Sequence, residues 1–123
     1  MKATAACRRR RPRLFLPAMD RDAQQRVLQA VRDTAVECGA RKAILFGSFA
    51  RGTATHRSDV DAVFVEETSA RFLERLDRYM RGLYDRLGIP AEVFVYTPTE
   101  FRTMADQPFM KRVLKEGIVA YEC

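Results

Sequence analysis

Asp59 and Asp61, in the stretch SDVDAVFVE, stand one residue apart at the mouth of an apolar run from Ala62 to Val65. In an extended strand two such residues point to the same side. A carboxylate at a dry site is costly unless something compensates it. Glu92 holds a matching place in AEVFVY, at the start of a second apolar run. Carboxylates grouped at strand starts form an all-oxygen donor set, which suits hard cations, magnesium first. Upstream, Gly47-Ser48 close the run KAILF, and a short helix opening there would offer free backbone N–H groups to a phosphate. Carboxylates for magnesium beside an anion hole point to magnesium–nucleotide chemistry. The Asp-x-Asp alone describes an acidic rim on sheet ends equally well; Gly47-Ser48 before it and Glu92 after it favour the site.

Neighbouring residues need separate accounts. Arg51 either neutralises phosphate charge or ties its loop down, and the sequence does not choose. Ser58 is expected to cap the turn into the strand, and His56 to lie in solvent. GSFARGT carries the glycine frame of a P-loop, but Thr53 stands where that motif needs lysine, so the P-loop reading fails.

The elements that must position these residues are legible in the pattern. Asp20 is a candidate N-cap for a helix in which Val27, Leu28, Val31, Ala35 and Cys38 share one face, and Gly39 stops it. KAILF (42–46), DVDAVFVE (59–66) and AEVFVY (91–96) read as strands. The middle one is apolar on both faces, hence central. Ser69 opens a predicted long helix whose Phe72, Leu73, Leu76, Tyr79, Met80, Leu83, Tyr84 and Leu87 form a core face, ended by Gly88 and Pro90. Thr97-Pro98-Thr99-Glu100 is a capping box with proline at the first helical position. A last helix is expected over about 108–116, with GIVAY as an edge strand. The short connection between strands one and two predicts an antiparallel pair, and the helical crossover between two and three a parallel one. Gly47-Ser48, Asp59, Asp61 and Glu92 should then meet at one sheet edge.

Composition sets the outer bounds. At 123 residues, 47% hydrophobic and 31% charged, the chain reads as one globular domain. No apolar run approaches membrane-spanning length, and LFLPAM is too short for a secretory core. Three cysteines without C-x-x-C spacing fit reduced thiols in a cytoplasmic protein, and a single histidine excludes a histidine-rich metal site. The net charge of +6 resides in residues 1–19, which hold six basic residues and no acid. The rest is neutral. That segment reads as a basic, disordered arm or an upstream extension, since Met19 just precedes the first helix signal; a nucleic-acid-binding arm is the alternative. The domain proper is placed at residues 20–123.

Gly47-Ser48, then FARGTATHRS, then Asp59-Val60-Asp61 is the spacing Gly-Ser, ten residues, Asp-x-Asp. With the wording FGSFARG, SDVD and KEGIVAY, it resembles the minimal nucleotidyltransferases, antitoxin-like small members of the DNA polymerase beta-like superfamily, over about residues 20–121. The resemblance implies an α/β (α+β) nucleotidyltransferase fold, a small mixed sheet flanked by helices. It implies transfer of a nucleoside monophosphate from a triphosphate to a hydroxyl, with pyrophosphate released. Gly47 and Ser48 would hold the outer phosphates, and Asp59 and Asp61 would bind two Mg2+ ions. Glu92 would be the third carboxylate, ligating metal and taking the acceptor's proton, where aspartate is the commoner residue.

The short members resembled often pair with a helical HEPN-type toxin and look like antitoxins that add AMP from ATP to a toxin tyrosine. That reading is favoured, because about one hundred folded residues leave no second domain to hold an acceptor. Three alternatives stand: an enzyme acting on a small hydroxylated, aminoglycoside-like molecule, a non-catalytic partner-binding module of the same fold, and an RNA-modifying enzyme, which leans on the arginine arm alone.

Overall fold

The computed structural model describes residues 21–123. The basic arm and the Asp20 cap fall on residues 1–20 and lie outside the described residues. Helix α1 (Arg21–Cys38) leads into strand β1 (Lys42–Phe46), the single-turn helix α2 (Gly47–Arg51) and strand β2 (Val60–Val65). A 3-10 turn at Leu73–Arg75 runs into α3 (Leu76–Leu87), followed by β3 (Ala91–Tyr96), α4 (Pro98–Thr103), α5 (Pro108–Glu116) and β4 (Ile118–Glu122). The four strands form one mixed sheet in the order β3-β2-β1-β4, so β2 is central and β4 an edge strand.

Alternation along each strand sorts side chains to two layers. Ala43, Leu45, Val60, Ala62, Phe64, Val93 and Val95 face α1 and α3, where Val27, Val31, Ala35, Tyr79 and Leu83 complete the larger core. Ile44, Val63 and Tyr96 face Met110 and Val113 of α5 in a smaller one. The helix face predicted for Val27, Val31 and Ala35 is buried, with Leu28 and Cys38 packed against it. Thr97 and Glu100 make the reciprocal capping box in full. The Tyr79 hydroxyl donates to the Glu66 carboxylate at 2.7 Å, tying α3 to the end of β2.

Two expectations about the third helix are corrected. It does not open at Ser69: regular α-helix begins only at Leu76. Upstream, the Thr68 hydroxyl accepts from the Ala70 N–H and the Glu74 carboxylate from the Arg71 N–H, local bonds that compete with helix. The Ala70 carbonyl is taken by the Arg75 Nε at 2.8 Å. Arg75 is buried because its guanidinium bonds the Val95 carbonyl and both oxygens of Glu100. Nor is the whole apolar stripe core. Tyr79 and Leu83 are buried, whereas Leu73 is 76% and Tyr84 57% exposed, with Phe72 and Met80 also exposed. Eight apolar positions make a stripe wider than the one sheet face it rests on.

Candidate active site

The site follows from register. β1 pairs antiparallel with β2, placing Phe46 opposite Asp61. β2 pairs parallel with β3, placing Glu92 on the other flank of Asp61. A short loop permits the first pairing and the α3 crossover the second. Asp61 therefore has the Gly47 turn on one side and Glu92 on the other.

Gly47 leaves β1 with φ +75°, a backbone conformation that side chains disfavour, and a Cβ there would collide with the Asp61 carboxylate. The glycine satisfies two demands at once, the sharp exit into α2 and the close approach of an acid. α2 is one turn long, closed by Gly52 at φ +78° and by the Thr53 N–H on the Ser48 carbonyl at 2.9 Å. From α1, the Gln24 amide donates to the Phe49 and Ala50 carbonyls at 2.9 and 3.2 Å, pinning that turn in place.

Asp61 and Glu92 are register partners across the β2–β3 pairing, and the Asp61 carboxyl is pushed up to about 6. Burial is the largest cause, followed by the neighbouring Glu92 carboxylate and the Asp59 charge, with Arg51 opposing them. Asp59 is exposed, one residue ahead of the β2 ladder. Ser48 is half-buried in the first turn of α2. Arg51, at the other end of that turn, pairs with Glu116 of α5 at 3.4 Å. Thus Asp61, Glu92 and Gly47 are in mutual contact through Asp61, while Asp59 and Arg51 act on it through charge. Among the described residues, no group of three or more acid, histidine or cysteine side chains is already gathered to hold a metal ion.

The Ser58 hydroxyl accepts from the Thr55 N–H at 2.9 Å, the turn role expected of it, and His56 is exposed. Gln24 and Glu116 are the residues near the site that the sequence did not single out. Gln24 carries no signal in a polar helix turn. Glu116 had a faint one, an acid at the last position of a helix, where the dipole favours a base.

Residues 25–121 match the family described as Nucleotidyltransferase domain. A protein of Methanocaldococcus jannaschii described as "Putative protein adenylyltransferase" is 32% identical over 81 residues, covering 66% of this chain and 78% of its own. Among solved structures, a "putative minimal nucleotidyltransferase" is 29% identical and superposes with a TM-score of 0.61, covering 81% of this chain and 95% of its own. A toxin–antitoxin structure with AMP-PNP shares the fold at 19% identity, with a TM-score of 0.54 over 81% of this chain and 73% of its own. With the match running from α1 into β4 and Gly47 packed against Asp61 where β1 ends, the chain belongs to the nucleotidyltransferase domain family.

Proposed function

We propose that this nucleotidyltransferase is a magnesium-dependent adenylyltransferase that moves AMP from ATP to a tyrosine hydroxyl of a HEPN-type helical toxin, acting as the antitoxin of the pair in the cytoplasm. The observation that carries it is the contact of Asp61 with Glu92 beside the Gly47 turn. The adenylyltransferase name of the archaeal relative and the toxin–antitoxin fold with AMP-PNP support the donor and the partner class.

The residues fit magnesium. Every donor is a carboxylate oxygen, and the burial and like-charge crowding that raise Asp61 are what a divalent cation offsets. Asp59, Asp61 and Glu92 would hold it. Bound there, magnesium supplies charge neutralisation on the triphosphate and an acidified acceptor hydroxyl.

The chain's own groups do the rest. Gly47 and Ser48 bind the outer phosphates from the α2 turn, and Arg51 offsets phosphate charge. Glu92 receives the proton of the tyrosine hydroxyl as its oxygen attacks the α-phosphorus. The bond between that phosphorus and the bridging oxygen breaks, and pyrophosphate leaves with the electron pair. The uncovered face of Phe72, Leu73, Met80 and Tyr84 is an apolar surface of the kind a protein partner covers.

The test is incubation of the chain with magnesium and ATP labelled at the α-phosphate, with and without a candidate helical toxin. Label on a toxin tyrosine, with pyrophosphate released, is expected. Label on a small hydroxylated molecule instead would move the acceptor to another class. Undiminished toxin neutralisation by Asp61→Asn would make the chain a binding module.

A further inference from the structure

Glu116 stands outside the signature that carries the family assignment, yet it reaches the site. It is the last residue of α5, and Gly117 after it is pressed against β1: a Cβ there would meet the Val113 carbonyl and the Ile44 side chain. The Gly117 N–H closes the helix on the Val113 carbonyl at 2.8 Å. α5 packs against α2, so its end is fixed beside the turn that carries Arg51. An acid here opposes the helix dipole, which marks a residue kept for something other than helix stability.

Its one described partner is Arg51, with Nη1 to Oε1 at 3.4 Å. Both side chains are open to water, 49% and 36% exposed, so the pair is weak and exchangeable. Arg51 is also near enough to Asp61 for its charge to act on that carboxyl. The arginine assigned to phosphate thus pairs with a carboxylate from another element while its charge reaches a site carboxylate.

We propose that Glu116 is a positioning residue that parks Arg51 in the nucleotide-free protein and gives it up to the triphosphate, so that donor binding includes the exchange of one anion for another. This rests on the donor site proposed above. A triphosphate carries several negative charges against the single charge of Glu116, and it wins the arginine. Glu116 then sets how tightly donor is held and how readily it leaves, without touching the reacting atoms.

A double-mutant cycle on the full chain tests this, reading calorimetric binding of magnesium-bound AMP-PNP to wild type, Glu116→Gln, Arg51→Ala and the double variant. Glu116→Gln is near-isosteric and exposed, so it leaves the fold intact. The expected result is binding tightened about two- to fivefold by Glu116→Gln, the range of an exposed ion pair. Arg51→Ala weakens binding, and on that background Glu116→Gln changes nothing. An equal gain on both backgrounds means that Glu116 acts as a bare charge, which overturns the parking role. No change, or a loss, in Glu116→Gln also overturns it while leaving the donor site standing. Failure of the wild type itself to bind overturns the donor site and this inference with it.

Discussion

Gly47 and Asp61 are packed so closely that no side chain fits between them: the glycine turns out of β1 where the carboxylate of β2 arrives. The turn and the acid are therefore one unit. Gly47→Ala places a Cβ against the carboxylate and forces an L residue into positive φ, at a cost of about 1–2 kcal/mol from the backbone alone. The variant should melt below wild type and lose nucleotidyl transfer, because relief of the clash moves Asp61. A Gly47→Ala protein with normal melting and normal transfer would break the unit apart.

Asp61 carries opposite consequences for stability and for chemistry. Its pKa is raised to about 6 from an ordinary 3.8, chiefly by burial. The folded state thus disfavours ionised Asp61, and this group's contribution to stability is lost as pH rises from about 4 to about 6. Asp61 is partly open to water, so after screening the penalty is on the order of 1 kcal/mol. Asp61→Asn cannot ionise. In chelator at pH 7 it should melt above wild type, by roughly 4–8 °C per kcal/mol for a domain this size, and the gap should close near pH 4. Transfer should meanwhile fall by about two to four orders of magnitude. Added magnesium should raise the wild-type melt and leave the variant's unchanged. A variant that transfers at the wild-type rate removes Asp61 from the chemistry.

Glu92 tests what the third carboxylate does. Glu92→Asp keeps a charge and a proton acceptor one methylene shorter, so it should retain part of the transfer rate. Glu92→Gln keeps the shape and removes both, and should be nearly inactive. Equal rates in all three would leave β3 without a chemical role. Fluorescence melts taken beside the rates separate loss of function from loss of fold.

What the sequence made legible here is connection geometry. The short link between Gly47 and Asp59 favours an antiparallel β1–β2 pair and the helical crossover a parallel β2–β3 pair; Asp61 then falls beside both Phe46 and Glu92. The capping box at Thr97 was legible for a similar reason, since both partners lie within one turn. Contacts made across the fold were not. Arg75 carries no signal within the helix expected from Ser69, and its bonds to Val95 and Glu100 come from β3 and α4, ahead of an α-helix that begins only at Leu76. The reach of Gln24 to α2 and of Glu116 to Arg51 spans long separations that no local pattern records.

The Arg75–Glu100 pair yields a stability prediction of the opposite sign to Asp61. The hydrogen bond from Arg75, with one from the Thr97 N–H, holds the Glu100 carboxyl below its usual range. Its contribution is present above the ordinary carboxylate pKa and is lost as pH falls through the depressed one. Glu100→Gln should cost about 1–3 kcal/mol at neutral pH by leaving the buried Arg75 a neutral acceptor, and should flatten the acid limb of the stability profile. Urea unfolding at several pH values reads both effects.

The exposed apolar face makes the last prediction. Leu73, in the 3-10 turn that leads into α3, and Met80, on α3 itself, are both open to water. Replacing exposed residues costs little stability, so Leu73→Ser with Met80→Ser should melt within a degree or two of wild type. Nucleotide binding at the β2 and β3 starts should also be unaltered, because these exposed side chains belong to other elements. Capture of the proposed toxin partner should weaken about tenfold or more if this face is buried in the pair. Loss of capture with intact nucleotide binding would locate the partner on α3 and the turn that leads into it. Unchanged capture would place the partner on another surface and leave the donor site untouched.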